Sequence, residues 1–361
     1  MKKSYKFLTP ALLIGLAAFM PTNLYAGNPD RAGSAGATEL LINPFARSSG
    51  WAGANTAMCQ GIEASYLNVA GVAFTQQTEL VFDHTNWLVG TGISINTFGL
   101  SQRVGKTGVI GLNVMSMDFG NIPITTTDNP EGGLGTFSPS FVNLGLSYSK
   151  AFSDNIYGGI NMKVISEAIS NVSAKGVAID AGVQYVTGPT NNIHFGISLK
   201  NVGPTMTFSG DGLSFKTPLP NGNPFDMTVQ QRSQSFELPS LINIGAGYDI
   251  NFMRDSSALK TQRLTIAANF TSNSFTQDQY QLGMEYGFRS YLMLRVGYSY
   301  EKGIFNSIEN GRLTAYTGPT AGFTVQLPFG HAKKSTFSID YSYRASNPFQ
   351  GTNTIGARIN L

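Results

Sequence analysis

A regular alternation of apolar and polar residues runs through most of the chain and constrains its fold more than any other feature. From about Glu79 to the end, apolar side chains recur at every second position in blocks of roughly ten residues, as in FSIDYSYR at 337–344 and INIGAGYDI at 242–250. Successive side chains of a β-strand point to opposite faces, so each block predicts a strand with one apolar and one polar face. The sequence therefore predicts an all-β protein.

Soluble β-sandwiches also alternate, so further features are needed to predict where these strands lie. The blocks are longer than the five or six residues typical of soluble strands. Aromatic residues often end the apolar face, as in the interfacial girdles of transmembrane barrels. The polar face carries charges in mid-strand, as a hydrated or plugged lumen would; these candidate luminal residues are Lys163, Asp180, Glu285, Arg295, Asp340 and Arg358. Together these features favour a transmembrane antiparallel β-barrel.

The blocks give fourteen candidate strands, an even number that lets both ends of the barrel lie on the periplasmic side. They lie near 78–88, 91–104, 107–118, 137–151, 154–168, 172–187, 191–202, 238–251, 262–273, 276–288, 290–302, 319–329, 335–345 and 350–361. The three longest loops, 119–136, 203–237 and 303–318, then all fall at the extracellular end, where bacterial barrels carry long loops. One connection, 252–261, is longer than most periplasmic turns.

The N-terminal residues predict export. Lys2, Lys3 and Lys6 precede an apolar stretch at 7–20, and LYA at 24–26 matches a cleavage site, so 1–26 is predicted to be a signal peptide. Residues 78–361 would form the barrel in the lipid of a Gram-negative outer membrane. Only 12% of residues are charged and no long basic run occurs, which argues against a nucleic-acid partner.

Residues 27–77 do not alternate and are rich in small residues. A segment of this kind can pack inside a barrel whose lumen would otherwise be open. We expect 27–77 to form a partly helical luminal plug, with a mobile periplasmic leader as the alternative.

The sequence offers no convincing catalytic or cofactor site. Ser147–Lys150, Ser153–Asn155 and Lys106–Gly108 match the three signatures of penicillin-binding enzymes. They occur in the wrong order, and the serine lies inside an alternating block rather than at a helix start. The three histidines show no metal-binding spacing, and Cys59 stands alone. The chain is therefore predicted to be neither an enzyme nor a cofactor protein.

The long outer loop at 203–237 is the best candidate for binding a partner. It contains large apolar residues among Pro and Gly, and exposed apolar residues on a surface loop tend to mark binding. The candidates are Met206, Phe208, Phe215, Phe225, Met227 and Phe236. The alternative is that they fold inward and cap the mouth of the barrel.

The 27–77 segment also carries a family resemblance. LLINPFARSSG at 40–50, GANTA at 53–57 and EASYLNVAGVA at 63–73 follow one another, with shorter pieces later at 84–87, 178–183, 199–203 and 238–240. This series resembles the PorV/PorQ family of type IX secretion, which is itself similar to the FadL transporters. The resemblance marks a candidate plug motif at Pro44, Ala46, Arg47, Asn68 and Gly71, and it does not separate PorV, PorQ or a paralogue.

The resemblance implies a fourteen-stranded FadL-like barrel with an N-terminal luminal segment. It also implies a non-enzymatic role in type IX secretion, in which the extracellular loops bind a translocon subunit, the C-terminal signal domains of secreted proteins, or both. The alternative function is a FadL-like transporter of hydrophobic small molecules. A transporter should contain an apolar luminal pocket, whereas a protein-binding subunit should have a blocked lumen and apolar residues exposed at its outer rim.

Overall fold

The computed structural model describes residue 31 and residues 33–219, 225–254, 260–289, 291–307, 312–329 and 335–361. The predicted signal peptide at 1–26 lies outside these residues. Among the described residues, no helix is long and apolar enough to cross a membrane.

Eighteen β-strands make up most of the described chain. They are β1 (Thr78–Trp87), β2 (Ile93–Val104), β3 (Gly108–Asp118), β4 (Ile122–Pro123), β5 (Thr136–Phe137), β6 (Ser140–Ala151), β7 (Ile156–Ile169), β8 (Val172–Thr187), β9 (Ile193–Val202), β10 (Ser214–Pro218), β11 (Asp226–Gln230), β12 (Leu241–Arg254), β13 (Lys260–Asn273), β14 (Gln279–Phe288), β15 (Leu292–Glu301), β16 (Tyr316–Phe329), β17 (Ser335–Ser346) and β18 (Thr352–Asn360).

Fourteen of these strands form one closed antiparallel barrel. Each barrel strand pairs with its neighbours along the chain, and β1 closes the ring by pairing with β18. The remaining strands form two small hairpins in outer loops, β4 with β5 and β10 with β11. The predicted fourteen-stranded barrel is confirmed, and its closure pairs the backbone groups that a lipid bilayer could not satisfy.

The alternating apolar and polar residues of each strand form the outer and inner faces of the barrel wall. Along β9 and β12, for example, Ile197 and Ile244 are exposed on the outer surface, whereas Ser198 and Asn243 are buried inside. Apolar side chains therefore face lipid and polar side chains face the lumen. This is the reverse of a soluble protein and the arrangement of a membrane barrel.

The strand ends differ from the predicted ends in two informative places. β12 extends to Arg254 and β13 begins at Lys260, so the predicted 252–261 connection shrinks to the residues between them. β16 begins at Tyr316, inside the predicted 303–318 loop, with an irregularity between Tyr316 and Thr320. Gly318, whose φ is 105°, interrupts the alternation there, so the apolar–polar pattern becomes readable only from the next residue onward.

The lumen holds the luminal segment, which we define as residues 33–77. It contains four short helices and no barrel strand: the 3₁₀ helices Thr38–Leu41 and Val69–Phe74 and the α-helices Ala46–Gly50 and Ala64–Leu67. A further 3₁₀ turn, Asp211–Leu213, precedes β10 in the long outer loop. None of these helices exceeds two turns, so contacts with the wall must hold them in place.

We call the long-loop end of the barrel its outer end. The described connections 119–139 and 302–307, and the loop between β9 and β12, all lie at this end. The opposite end carries short turns such as 105–107 and 152–155. Bacterial barrels have short periplasmic turns, so this asymmetry gives the orientation.

The outward apolar face predicts a depth-dependent cost for a buried charge. Ile197→Arg, in the middle of β9, should destabilise the barrel by about 2–4 kcal/mol, whereas Val202→Arg, at the outer end of the same strand, should cost about 0–1 kcal/mol. Urea titration of folding into phosphatidylcholine vesicles would measure both values. Equal costs at the two positions would contradict the placement of this face in lipid.

Candidate functional site

Side chains of the barrel wall hold the backbone of the luminal segment. Ser149 donates to the carbonyl of Val69 over 2.6 Å, and Ser198 donates to that of Leu67 over 2.8 Å. The Gln184 amide reaches the carbonyls of both Thr56 and Cys59, at 3.2 and 3.1 Å. A segment with so little helix leaves many backbone groups unpaired, and the polar wall supplies their partners.

The five residues of the candidate plug motif all make contacts inside the barrel. The backbone N–H of Ala46 donates to Asp83 over 3.0 Å, and the carbonyl of Pro44 accepts from Thr85. The remaining three positions are Arg47, Asn68 and Gly71. The wall contacts of the first four residues are distributed over β1, β8 and β17, whereas Gly71 contacts the luminal segment itself.

Asn68 and Gly71 shape the middle of the luminal segment. The Asn68 amide donates to the carbonyl of Val183 in β8 at 3.0 Å, and its oxygen caps the helix Val69–Phe74 by accepting from Ala70. A Cβ at Gly71 would lie 2.1 Å from the carbonyl oxygen of Cys59. Only glycine therefore allows the chain to fold back this closely on itself.

Buried ion pairs fasten the luminal segment to the seam where the barrel closes. Arg358 of β18 forms ion pairs with Glu63 of the luminal segment and with Glu79 of β1, the latter at 3.0 Å. Arg47 of the segment forms an ion pair with Asp340 of β17 at 2.8 Å. Buried charges require such partners, and here the partners come from both the segment and the wall.

These pairs continue as a belt of charges around the inside of the wall. Asp340 accepts from Thr324, which also accepts from Arg295, and Arg295 pairs with Glu285 at 2.7 Å. Arg263 then forms ion pairs with both Glu285 and Asp249. The belt ends with Asp249 and His194. It therefore links consecutive barrel strands from β1 through β18 to β9.

The six predicted luminal charges are all buried inside the wall. Glu285, Arg295, Asp340 and Arg358 belong to the belt. Lys163 and Asp180 form a separate pair at 2.8 Å on β7 and β8. All six are engaged with a partner of opposite charge, so they structure the lumen and do not line an open path.

The six apolar candidates of the long outer loop divide into two groups. Met206 is only 1% exposed, and it packs with Leu40 and Leu238, while Phe208 and Phe236 pack against the same cluster. Met206 therefore follows the inward-folding alternative, and partner contact stays a prediction for the exposed residues. Apolar loop residues gain more by covering the luminal segment than by remaining in water.

The base of this loop is bonded directly to the luminal segment. The N–H of Gly36 donates to the carbonyl of Glu237 at 3.0 Å, and Arg31 pairs with the Glu237 carboxylate at 2.6 Å. Met206 and Phe236 exchange backbone hydrogen bonds of 2.9 Å, which close the loop above this contact. The loop and the segment therefore form one packed unit.

The tip of the loop carries the second group of candidates. Here β10 and β11 form a two-stranded hairpin, with Met227 half-buried on it, Phe215 exposed, and Phe225 69% exposed just before β11. In the described residues neither outer edge of this hairpin pairs with another strand. Such edges present free backbone donors and acceptors to an incoming strand. Phe305 and Leu313, in another outer loop, are also exposed.

A cavity of about 190 Å³ lies between the luminal segment and the outer end of the wall. Tyr66 and Leu67 of the segment form part of its floor. Its sides come mainly from β9 and β12–β17. Most of the wall residues that line it are amides and hydroxyls, and two cations, Lys200 and Arg344, also reach it.

Several residues of this interior were not predicted. Glu63 lies outside every alternating block, so nothing in the sequence pattern placed it beside Arg358. Lys200 and Arg344 could have been found, because they occupy inward positions of β9 and β17 by strand periodicity. Burial raises the pKa of the Cys59 thiol, which therefore stays protonated inside the segment. No group of three potential metal ligands occurs in the part of the chain that the structure describes.

Glu39 is an unusual acid at the start of the luminal segment. Its side chain is buried beside the carboxyl group of Glu167. Burial, followed by the nearby charge of Glu167, raises its pKa from 4.5 to about 8. The carboxyl group is therefore mostly protonated at neutral pH.

Comparison with known proteins identifies the fold. No protein-family model and no curated protein sequence matches the chain. Among solved structures, a TodX deltaS2S3 mutant monoaromatic hydrocarbon channel is 12% identical with a TM-score of 0.55, over 88% of this chain and 98% of that one. The Pseudomonas putida toluene transporter TodX is 11% identical with a TM-score of 0.52, over 88% and 96%. A Pseudomonas aeruginosa FadL homologue is 12% identical with a TM-score of 0.48, over 87% and 96%.

The two TodX likenesses show that this chain shares the barrel fold of the TodX structures. That fold indicates a location in the outer membrane. Identities of 11–12% carry the fold and nothing about what the chain binds.

Removing the cation at the barrel seam should be costly. Arg358→Met leaves Glu63 and Glu79 buried without their cation, and we expect a loss of about 3–5 kcal/mol in unfolding free energy. Arg232→Met, at an exposed position in the long outer loop, should change the unfolding free energy by less than about 0.5 kcal/mol. Urea unfolding of the purified barrel would compare the two, and equal stabilities would show that the pairs do not hold the segment.

The raised pKa of Glu39 predicts a loss of stability with rising pH. The folded state binds its proton more tightly than the unfolded state, so stability falls as the pH rises from about 4.5 through about 8. Glu39→Gln removes this titration and should reduce the pH dependence of stability in that window. Thermal unfolding at pH 6, 7.5 and 9 would show the difference, and identical slopes for both proteins would contradict it.

Proposed function

We propose that this chain is a non-enzymatic outer-membrane barrel of the type IX secretion pathway, similar to PorV. It would bind secreted cargo, a translocon subunit, or both, through its outer loops. The family resemblance of the 40–73 series supports the pathway. The observation that carries the binding mode is the β10–β11 hairpin, which presents exposed aromatic residues and free strand edges above a filled lumen.

The filled lumen favours docking over passage. A solute crossing the barrel would have to displace a segment held by ion pairs to Arg358 and Asp340 and by many hydrogen bonds from the wall. Breaking a buried pair costs about 3–5 kcal/mol. Binding at the outer rim requires none of these contacts to break.

The hairpin offers both parts of a strand-recognition surface. Backbone groups at a free edge provide affinity, and apolar side chains beside the edge provide specificity. Phe215 lies on β10, and Phe225 lies just before β11. A protein segment that adds a strand to β10 or β11 would bury these rings as it pairs.

A FadL-like transporter of hydrophobic small molecules is the second candidate. The cavity above the luminal segment favours it, because Leu41, Leu67 and Leu241 provide some apolar lining. In this case the solute would enter from the outer end and the luminal segment would have to move.

Substitutions at the rim test the docking proposal. Phe225→Ser and Phe305→Ser remove exposed rings at the outer end, and Phe152→Ser removes a ring of similar exposure, 68%, at the opposite end. A purified signal domain of a type IX cargo from the same bacterium should bind at least tenfold more weakly to the first two variants, because interface aromatics often contribute more than about 1.4 kcal/mol. It should bind normally to the third. Unchanged binding by both outer variants would contradict the proposal.

A tether on the luminal segment separates the two candidates. The Cβ of a residue at position 283 would lie 3.1 Å from that of Ala54, close to disulfide range. Ala54→Cys with Gly283→Cys, in a Cys59→Ala background, should lock the segment to β14 on oxidation. Cargo binding and secretion should persist in the locked protein. A loss of hydrophobic-solute uptake that a reductant restores would favour a moving segment and the transporter.

A further inference from the structure

The cavity above the luminal segment is small, and both polar and apolar side chains line it. At about 190 Å³ it is smaller than the roughly 300–1,000 Å³ of sites for drug-sized ligands, so it suits a molecule of about a dozen non-hydrogen atoms. One wall is built from amides and hydroxyls of neighbouring strands. These are Asn243, Asn269, Thr271, Gln279, Gln281 and Ser299.

This lining disfavours an apolar occupant. Asn243, Asn269, Thr271 and Gln281 hydrogen-bond to one another, so a hydrocarbon placed against them would remove only the additional hydrogen bonds that these groups make to water. A hydroxylated molecule would restore those bonds. The wall therefore selects for hydroxyl groups on the ligand.

A buried cation in this cavity has no carboxylate within ion-pair distance in the part of the chain that the structure describes. Lys200 is only 4% exposed, and its ammonium lies 3.8 Å from the centre of the Tyr66 ring. The other buried cations of the described residues, Lys163, Arg295 and Arg358, each have a carboxylate within ion-pair distance. Lys200 has none, and buried charges are ordinarily paired.

Arg344 adds a second cation to the same cavity. Its guanidinium lies over Tyr316 and Trp87, at 4.9 and 5.5 Å from the ring centres, and it donates one long bond of 3.4 Å to the carbonyl of Asn43. Its Nε is buried without a hydrogen-bond partner. Arg344 also has no carboxylate within ion-pair distance among the described residues.

When all three ionisable groups that line the cavity are charged, their charges sum to one unit positive. Lys200 and Arg344 contribute two positive charges, and Glu301, which accepts from Gln279 at 3.0 Å, contributes one negative charge. A singly charged anion would neutralise this net positive charge. A doubly charged phosphate would exceed it and face the Glu301 carboxylate.

We propose that this cavity binds a small hydroxylated carboxylate, with the chemistry of a sugar acid. The carboxylate takes its counter-charge from Lys200 and Arg344, and the hydroxyls bond to the amide and hydroxyl wall of β12–β15. The proposal goes beyond docking of a protein at the rim and does not depend on it. A site of this kind would let a surface saccharide or its breakdown product occupy the barrel mouth.

Calorimetric titration of the purified full-length barrel in non-ionic detergent tests the proposal. D-glucuronate should bind with a stoichiometry of one. Hexanoate, which has the same six carbons and one carboxylate but no hydroxyls, should bind at least tenfold more weakly. D-glucose, which has no charge, and inorganic phosphate should also bind at least tenfold more weakly.

Two variants in different strands locate the site. Lys200→Met and Arg344→Gln should each weaken glucuronate binding at least tenfold, whereas Lys175→Met, at an exposed position on β8, should leave it unchanged. Heat-modifiable mobility on gels confirms that each variant is folded. Absence of glucuronate binding at millimolar concentration, tighter binding of hexanoate or phosphate, or full binding by both folded cavity variants would overturn the proposal.

Discussion

The structure depends on one constraint, which is that no backbone polar group can be left unpaired where water is absent. Closing fourteen strands into a ring pairs the backbone groups of the wall, because β1 pairs with β18 and no strand edge remains in lipid. A ring of this size leaves an interior too wide for wall side chains alone to fill. The luminal segment fills it, and its own backbone then needs partners. The wall supplies them through residues such as Ser149, Gln184 and Ser198.

The polar interior is organised into two regions with different electrostatics. Through the middle of the barrel, the belt from Glu79 and Arg358 to Asp249 pairs each cation with a carboxylate and fixes the luminal segment. Nearer the outer end, the cavity holds Lys200 and Arg344 without such pairs. Paired charges give the barrel a closed centre. The unpaired cations lie in the cavity nearer the outer end, where a molecule from outside could reach them.

Much of the fold could be predicted from the sequence because side-chain direction in a strand has a period of two. That rule identified all fourteen barrel strands and the inward positions of charges such as Asp340. The rule failed where a backbone irregularity interrupts the alternation, as at Gly318 in β16. It also could not say which charges meet, because the tilt and register of strands far apart in sequence set those contacts. The sequence left open whether Met206 faces water or packs inward, because the same apolar residue type suits both positions in a loop.

The position of Arg358 has a consequence for how the barrel is assembled. The luminal segment directly precedes β1, and the ring closes between β1 and the last strand, so the segment must be enclosed before that seam forms. Glu63 and Glu79 meet their cation only when β18 arrives, since no other ion-pair partner for them occurs in the described residues. The final strand thus carries the residue that completes the interior. The Arg358 side chain forms its ion pairs only when the first part of the chain is packed in the lumen and the last strand is inserted. Closure of the barrel therefore depends on the order in which these two parts of the chain assemble.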